Sequence, residues 1–331
     1  MPAVVVRPAA PDDVGTPGLL DLLPDRWREG DNRRSLVAVS GDGRVLGHCR
    51  GIDNVFHPDS RVYVTELLPD VELAPLTWAD VADALLAAQR EVSTLPLHLK
   101  PDSDDDRLVG LCARNGGVLV QLMPPWRYPV DAALQAWAQD HRRTPDGLQA
   151  QVSGTDRTEE MLDLYVEHYT AQHAAWSPAA EPAVLREENA PDFVPGSSGS
   201  FDPRRSTILV RDEELVAQAL AWPPEPDGGV EISLQCRPHD GPSARTDMES
   251  CLAASILAAP EGSTLLIDSH AGEALESAML KDVPRPEGDL PDTWTAIVAF
   301  PVADGPTPIS LSAGRVPAAA QPFAAALHSG R

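Results

Sequence analysis

SLVAVSGDGRVLGHCRG, residues 35–51, reads as strand, tight turn, strand. Val37, Val39, Val45 and Cys49 alternate with other residues, and Gly41-Asp42-Gly43 supply the turn. STILVRDEELVAQALAW, residues 206–222, repeats that pattern. The offset persists outward. RVYVTELLPDV (61–71) is a strand, matched by VEISLQCRP (230–238). LTWADVADALLAAQREV (76–92) carries Trp78, Val81, Ala82, Leu85 and Leu86 at helical spacing behind a Thr77 cap, matched by RTDMESCLAASILAA (245–259). PLHLK and STLLIDSH are strands, DDDRLVGLCARNGG and AGEALESAMLKDV helices, GVLVQLMPPWRY and TWTAIVAFPV strands again. Ser35 corresponds to Ser206, Pro69 to Pro238 and His98 to Leu266, so an offset near 170 residues holds over several elements. This predicts two copies of one αβ unit. The copies are expected at 1–145 and 146–303, joined through the turn-rich DHRRTPDG, with 304–331 a Pro/Ala-rich tail in which PISLS adds at most an edge strand.

Composition excludes several classes. The 331 residues are 43% hydrophobic, enough for a sizeable core and too many for a disordered chain. Net charge is −24, with −6 on residues 1–145 and −18 on 146–331. That disfavours nucleic acid and anionic membranes as partners. Cys49, Cys112, Cys236 and Cys251 lie far apart with no CxxC, so neither a disulfide framework nor a zinc site is expected, which fits the cytoplasm. His168 and His173 are five apart, a spacing that does not place both on one helix face for a metal. Neither a signal peptide nor an 18-residue apolar run is visible.

The order strand–strand–strand–helix–strand–helix–strand, preceded by helices, resembles the Gcn5-related N-acetyltransferase (GNAT) fold. VVVRPAAPDDV is similar to that family's first strand and the start of its first helix, LVAVSGDGRVLGH to its second and third strands, and CARNGG to the end of the helix before its sixth. The resemblance covers 1–303 as a tandem pair. It implies an α/β (α+β) fold with two mixed, mostly antiparallel sheets flanked by helices. It also implies that the fourth and fifth strands splay, that the pantetheine of an acyl-CoA inserts between them, and that the pyrophosphate rests on N–H groups at the following helix N-terminus.

The family marks that loop with Arg/Gln-x-x-Gly-x-Gly/Ala, and both copies depart from it. Copy one has LLPDVELAPLTWADVADALL, without glycine and with Asp70, Glu72 and Asp80, which repel a pyrophosphate. Copy two has CRPHDGPSARTDMESCLAAS. There Cys236, Arg237, Gly241, Ser243, Ala244 and Arg245 form the better cradle for acetyl-CoA or another acyl-CoA, against Asp240 and Pro242. The other reading of this loop is a proline-rich turn.

For the chemistry, the resemblance implies a glutamate on the fourth strand as base and a tyrosine after the fifth strand as acid. Glu66 interrupts the apolar strand VYVTELL at the base position; otherwise it faces an open cleft or pairs with Arg50. Copy two has Gln235 there. Cys112 stands where the tyrosine would be, as a proton donor or as plain core. His270, at the end of LLIDSH, is a candidate base, or else a helix cap or surface histidine. His168, Tyr169 and Trp176 of LDLYVEHYTAQHAAW are candidates to shape an acceptor pocket under NAPDFVPGSSGSFDP as a lid, or form a packed amphipathic helix.

The leading expectation is an acetyl-CoA-dependent N-acyltransferase acting on a small, cationic or neutral amine, with copy one a degenerate scaffold and no metal. A homodimer is left open. The alternatives are a non-catalytic binding or assembly protein, and a tandem-GNAT transferase using another acyl donor such as aminoacyl-tRNA. The charge weighs against the last.

Overall fold

The computed structural model describes residues 4–26, 33–69, 77–142, 148–152, 155–224, 228–237, 241, 243–285 and 293–328. In chain order these form β1 (Val5–Pro8), β2 (Arg33–Val39), β3 (Val45–Asp53), β4 (Arg61–Leu67), α1 (Trp78–Val92), β5 (Leu97–Leu99), α2 (Asp106–Arg114) and β6 (Val118–Met123). The chain continues through β7 (Arg127–Pro129), α3 (Ala132–His141), β8 (Leu148–Val152), α4 (Thr158–His173), α5 (Pro182–Asn189), β9 (Thr207–Arg211), β10 (Glu214–Ala221) and β11 (Gly229–Cys236). It ends with α6 (Ser243–Ala258), β12 (Thr264–Ile267), α7 (Ala274–Asp282), β13 (Thr295–Phe300) and α8 (Gln321–Ala326).

Two sheets result, ordered β1-β2-β3-β4-β5-β13-β6 and β7-β12-β11-β10-β9-β8. Matching elements of the two copies occupy matching places. The β1–β2, β2–β3, β3–β4, β5–β13, β7–β12, β11–β10, β10–β9 and β9–β8 pairs are antiparallel, whereas β4–β5 and β11–β12 are parallel. A parallel pair needs a crossover, and α1 and α6 supply it. Thr77 and Asp80 start α1 as a reciprocal capping box. Asp105 accepts from Arg107 and Leu108 N–H at the start of α2. The β9–β10 turn places Asp212 and Glu213 at φ 49° and 71°, the left-handed pair of a type I′ hairpin, here built without glycine.

The compact units are not the contiguous halves 1–145 and 146–303. One is Met1–Leu122 with Thr293–Arg331, the other Met123–Asp292. The last strand of each repeat is exchanged: β13, from the second repeat, lies between β5 and β6, and β7, from the first, pairs with β12. In the first unit, Val81, Ala82, Leu85 and Leu86 of α1 are fully buried, as are Val37 and Cys49. In the second, Leu134 and Ala138 of α3 join Leu252, Ala253 and Ile256 of α6 and the apolar face of β10 and β11 in one core. Residues 304–328 are not a loose tail with an added strand. Leu311 donates to Leu119 O, and α8 and its flanks bury Ala320, Phe323 and Leu327.

The repeats differ between their first and second strands. The second unit has α4 and α5 there. Among the described residues the first has only the 3-10 turn Pro11–Asp13, where the family's first helix was expected. Among the described residues no helix is long and apolar enough to cross a membrane.

Candidate functional site

Each parallel pair separates toward its C-terminal end. β4 and β5 pair only at Arg61↔Leu97 and Val62↔His98, so Glu66 lies beyond the pairing. β11 and β12 pair from Gly229↔Thr264 to Ile232↔Ile267, and Ser233–Cys236 run on without β12.

At the first opening the site is closed by its own side chains. Glu66 does not pair with Arg50. It faces His48 across the β3–β4 register, with Oε2 3.0 Å from His48 Nε2, and it accepts from the N–H groups of Leu20 (3.2 Å) and Asp21 (3.3 Å). Arg50 lies 3.7 Å from Asp21 instead. Burial pushes the Glu66 carboxyl up, but His48 and the two N–H groups outweigh it and hold the carboxyl below its ordinary range. Glu66 therefore clamps the loop at residues 20–21. Cys112 is fully buried on α2, and burial pushes its thiol up to about 12, so it has no route to a substrate. At the α1 N-terminus Asp80 Oδ2 accepts from Thr77 N–H at 2.9 Å, placing a carboxylate where a phosphate would need to lie. Asp70 and Glu72 lie outside the described residues.

The second opening is richer. Arg237 N–H turns to Val216 O on β10. Cys236, one residue earlier, therefore presents its backbone to the opposite side, toward the opening. His168 of α4 sits there, with Nδ1 3.1 Å from Cys236 O and 3.3 Å from Cys236 N. Its Nε2 is buried without a hydrogen-bond partner among the described residues, and burial lowers its basicity. From β12 the chain passes Asp268, exposed, to His270, buried. His270 Nδ1 lies 2.9 Å from Glu273 Oε1, and Glu273 N–H donates to His270 O, also at 2.9 Å, closing the turn that aligns them. A carboxylate only accepts, so Nδ1 carries the proton and Nε2 keeps the lone pair. The His270 ring stands edge-on to His173 (5.2 Å between centroids) and to Trp176 (4.9 Å).

Tyr165 and Tyr169 continue this wall along α4, Tyr169 stacking on His173 at 3.9 Å and Tyr165 meeting Phe193 at 5.6 Å. Burial, with Asp268, Glu231 and Asp192 nearby, pushes the Tyr165 phenol up to about 12, and burial with Tyr165 and Asp268 also raises that of Tyr169. Both stay protonated at neutral pH. Phe193 and Phe201, expected on a mobile lid, are buried against each other.

The loop toward α6 is a compromised cradle. Gly241 takes φ 57°, and among the described residues nothing lies within 4 Å of where a Cβ would stand. The first turn of α6 holds no acid. Yet Arg237 pairs with Glu167 at 3.1 Å, and Arg245 with Glu249 at 2.7 Å and with Asp282. Cys236 and Ala244 are buried, while Ser243 opens the helix. Asp240 and Pro242 lie outside the described residues.

The structure thus gathers His168, Tyr169, Trp176, Cys236 and His270 around one opening and leaves Glu66 and Cys112 in the other unit. Sequence reasoning missed Glu273 and Glu276, although the spacing His270-x-x-Glu273-x-x-Glu276 puts three polar groups three residues apart at a helix start. Among the described residues no group of His, Cys, Asp and Glu could hold a metal.

No protein-family model matches the sequence, and no curated protein matches it. Solved structures do match in shape. A GCN5-related N-acetyltransferase from Sphaerobacter thermophilus is 10% identical, with 93% of this chain and 98% of that one covered at a TM-score of 0.54. A tandem GNAT protein from the clavulanic acid biosynthesis pathway is 14% identical, with 92% and 100% covered, also at 0.54. The chain therefore has the fold of the GCN5-related N-acetyltransferases, in tandem.

Proposed function

We propose that this chain is an N-acyltransferase whose chemistry lies in the second unit, with an acyl-CoA as donor and a small cationic or neutral amine as acceptor. The observation that carries this reading is His270. It is oriented by Glu273 and set at the end of β12 where β11 and β12 part. In this reading His270 Nε2 takes the proton of the attacking amine as the C–N bond forms and the C–S bond of the thioester breaks. The same imidazolium then returns the proton to the departing thiolate. Tyr165, Tyr169 and Trp176 wall the acceptor, and Asp268, Glu231 and Asp192 favour a protonated amine at encounter, which gives one proton to solvent before its lone pair attacks. Gly241 and the α6 N-terminus receive the phosphates. The first unit, with Asp80 and Glu66 engaged and no roof helices among its described residues, serves as scaffold.

One observation favours a second reading, a non-catalytic binding protein: both loop arginines are already held by acids. Calorimetry with acetyl-CoA and an amine panel separates the two. One site per chain, weakened by Gly241→Asp, with acyl transfer that falls about 10²-fold or more in His270→Asn, supports the enzyme. Two equivalent sites, or transfer unaffected by His270→Asn, would overturn it. Binding with no transfer to any amine would favour the second reading.

A further inference from the structure

Glu276 is a buried carboxyl with no assigned role. It is 4% exposed, one turn of α7 beyond Glu273, and among the described residues its Oε2 has no hydrogen-bond partner. Glu273 Oε2 is likewise buried without a donor, while Glu273 Oε1 holds His270. Two adjacent carboxylates in a core cannot both stay ionised, because each is desolvated and repels the other. One proton between them removes a charge and supplies the missing donor.

The geometry decides which carboxyl keeps the charge. Glu273 is the N-cap of α7, where the helix dipole favours an anion, and it faces the His270 N–H. Glu276 faces Glu273, Asp268 and the Cys236 thiol, and Tyr128 of β7 lies within its field. Tyr128 donates its hydroxyl to Leu280 O at 2.8 Å. Arg285, just after α7, also acts on Tyr128. Burial and Glu273 both raise its carboxyl well above the ordinary range, whereas contacts with Glu276 and His270 outweigh burial and lower that of Glu273. Around His270 stand His168 and His173 of α4, the former neutral through burial.

We infer that Glu276 is a positioning residue: as a neutral acid it donates a hydrogen bond to Glu273, so that the pair carries one negative charge and fixes His270 as the Nδ1–H tautomer, with Nε2 as the basic atom. Glu276 touches no reacting atom and acts through Glu273. This rests on the reading of His270 as the base for its catalytic meaning, but not for its physical content.

The test is nitrogen-15 NMR of histidine-labelled full-length protein across pH 5 to 8.5, with His270 assigned by comparison with His270→Ala. Neutral His270 is expected in the Nδ1–H form. Glu273→Ala removes the acceptor at Nδ1, so the tautomer preference is lost. Glu276→Gln keeps a neutral donor, so the Nδ1–H form is expected to survive, with folding verified by circular dichroism. The inference is overturned if wild-type His270 is the Nε2–H tautomer. It is also overturned if folded Glu276→Gln loses the Nδ1–H form as Glu273→Ala does, because a neutral donor beside Glu273 would then not suffice. If Glu276→Gln does not fold, a difference infrared band near the protonated-carboxyl stretch decides. Its presence at pH 7 in the wild type, with a shift in frequency in Glu276→Asp, supports a neutral acid, and its absence from the wild type refutes it. Acyl transfer is measured in parallel. The spectra stand without turnover, so failure of the enzyme reading and failure of this inference are distinct outcomes.

Discussion

Glu66→Ala separates a clamp from a catalytic base. The carboxylate makes three hydrogen bonds, one to His48 and two to the backbone of Leu20 and Asp21. At about 1 kcal/mol each these total about 3 kcal/mol, reduced because a third of the side chain is exposed. Against that reduction, His48 is completely buried and its Nδ1 already lacks a partner, so losing Glu66 leaves both ring nitrogens unpaired, at about 1 kcal/mol or more. The expected loss is about 2–4 kcal/mol. In a unit of about 160 residues that lowers its melting temperature by about 5–12 °C. The assay pairs scanning calorimetry with acyl-transfer kinetics held well below the new transition, where turnover should be unchanged. A fall in turnover of about 10²-fold with unaltered melting would refute the reasoning and return the chemistry to the first unit.

Gly117→Ala tests the strand exchange. Its Cβ would lie 2.5 Å from Val298 of β13, so urea unfolding should show about 1–3 kcal/mol of destabilisation, relieved in part by Val298→Ala. Truncation after Asp292 removes β13 from between β5 and β6, so proteolysis should degrade the first unit while Met123–Asp292 persists; the converse pattern would assign β13 to the other sheet. Burial, with His57 and Lys100, lowers His98 to about 4, so between about pH 6.5 and pH 4 the unfolded chain takes up a proton that the folded one refuses. Stability should therefore fall with pH by about 2–3 kcal/mol on this account, and His98→Asn should flatten that part of the unfolding profile measured at pH 7 and pH 4.5. Glu213→Gly relieves a left-handed φ of 71° and should raise stability by about 0.5–1 kcal/mol in the same assay.

What the sequence determined by itself is local. Alternation over residues 35–51 and 206–222, the glycine turn, the Thr77 and Asp105 caps and the constant offset specify which strands and helices exist and that they come twice, because each depends on neighbours a few residues away. His270 was legible as a polar group at the end of a strand, and the poverty of the first unit's phosphate loop was legible from its acids. Tertiary structure alone decided the rest. β7 and β13 are both short strands at the end of a repeat, and nothing in either pattern says whether it pairs with its own fifth strand or with the other repeat's. Glu66 found His48 rather than Arg50 because cross-strand register, not sequence distance, sets which side chains meet. Cys112 became inert core through burial, a property of its surroundings. The spacing of Glu273 and Glu276 is written in the chain, but whether two acids share one proton depends on how much water reaches them. Packing α7 against the second core determines that.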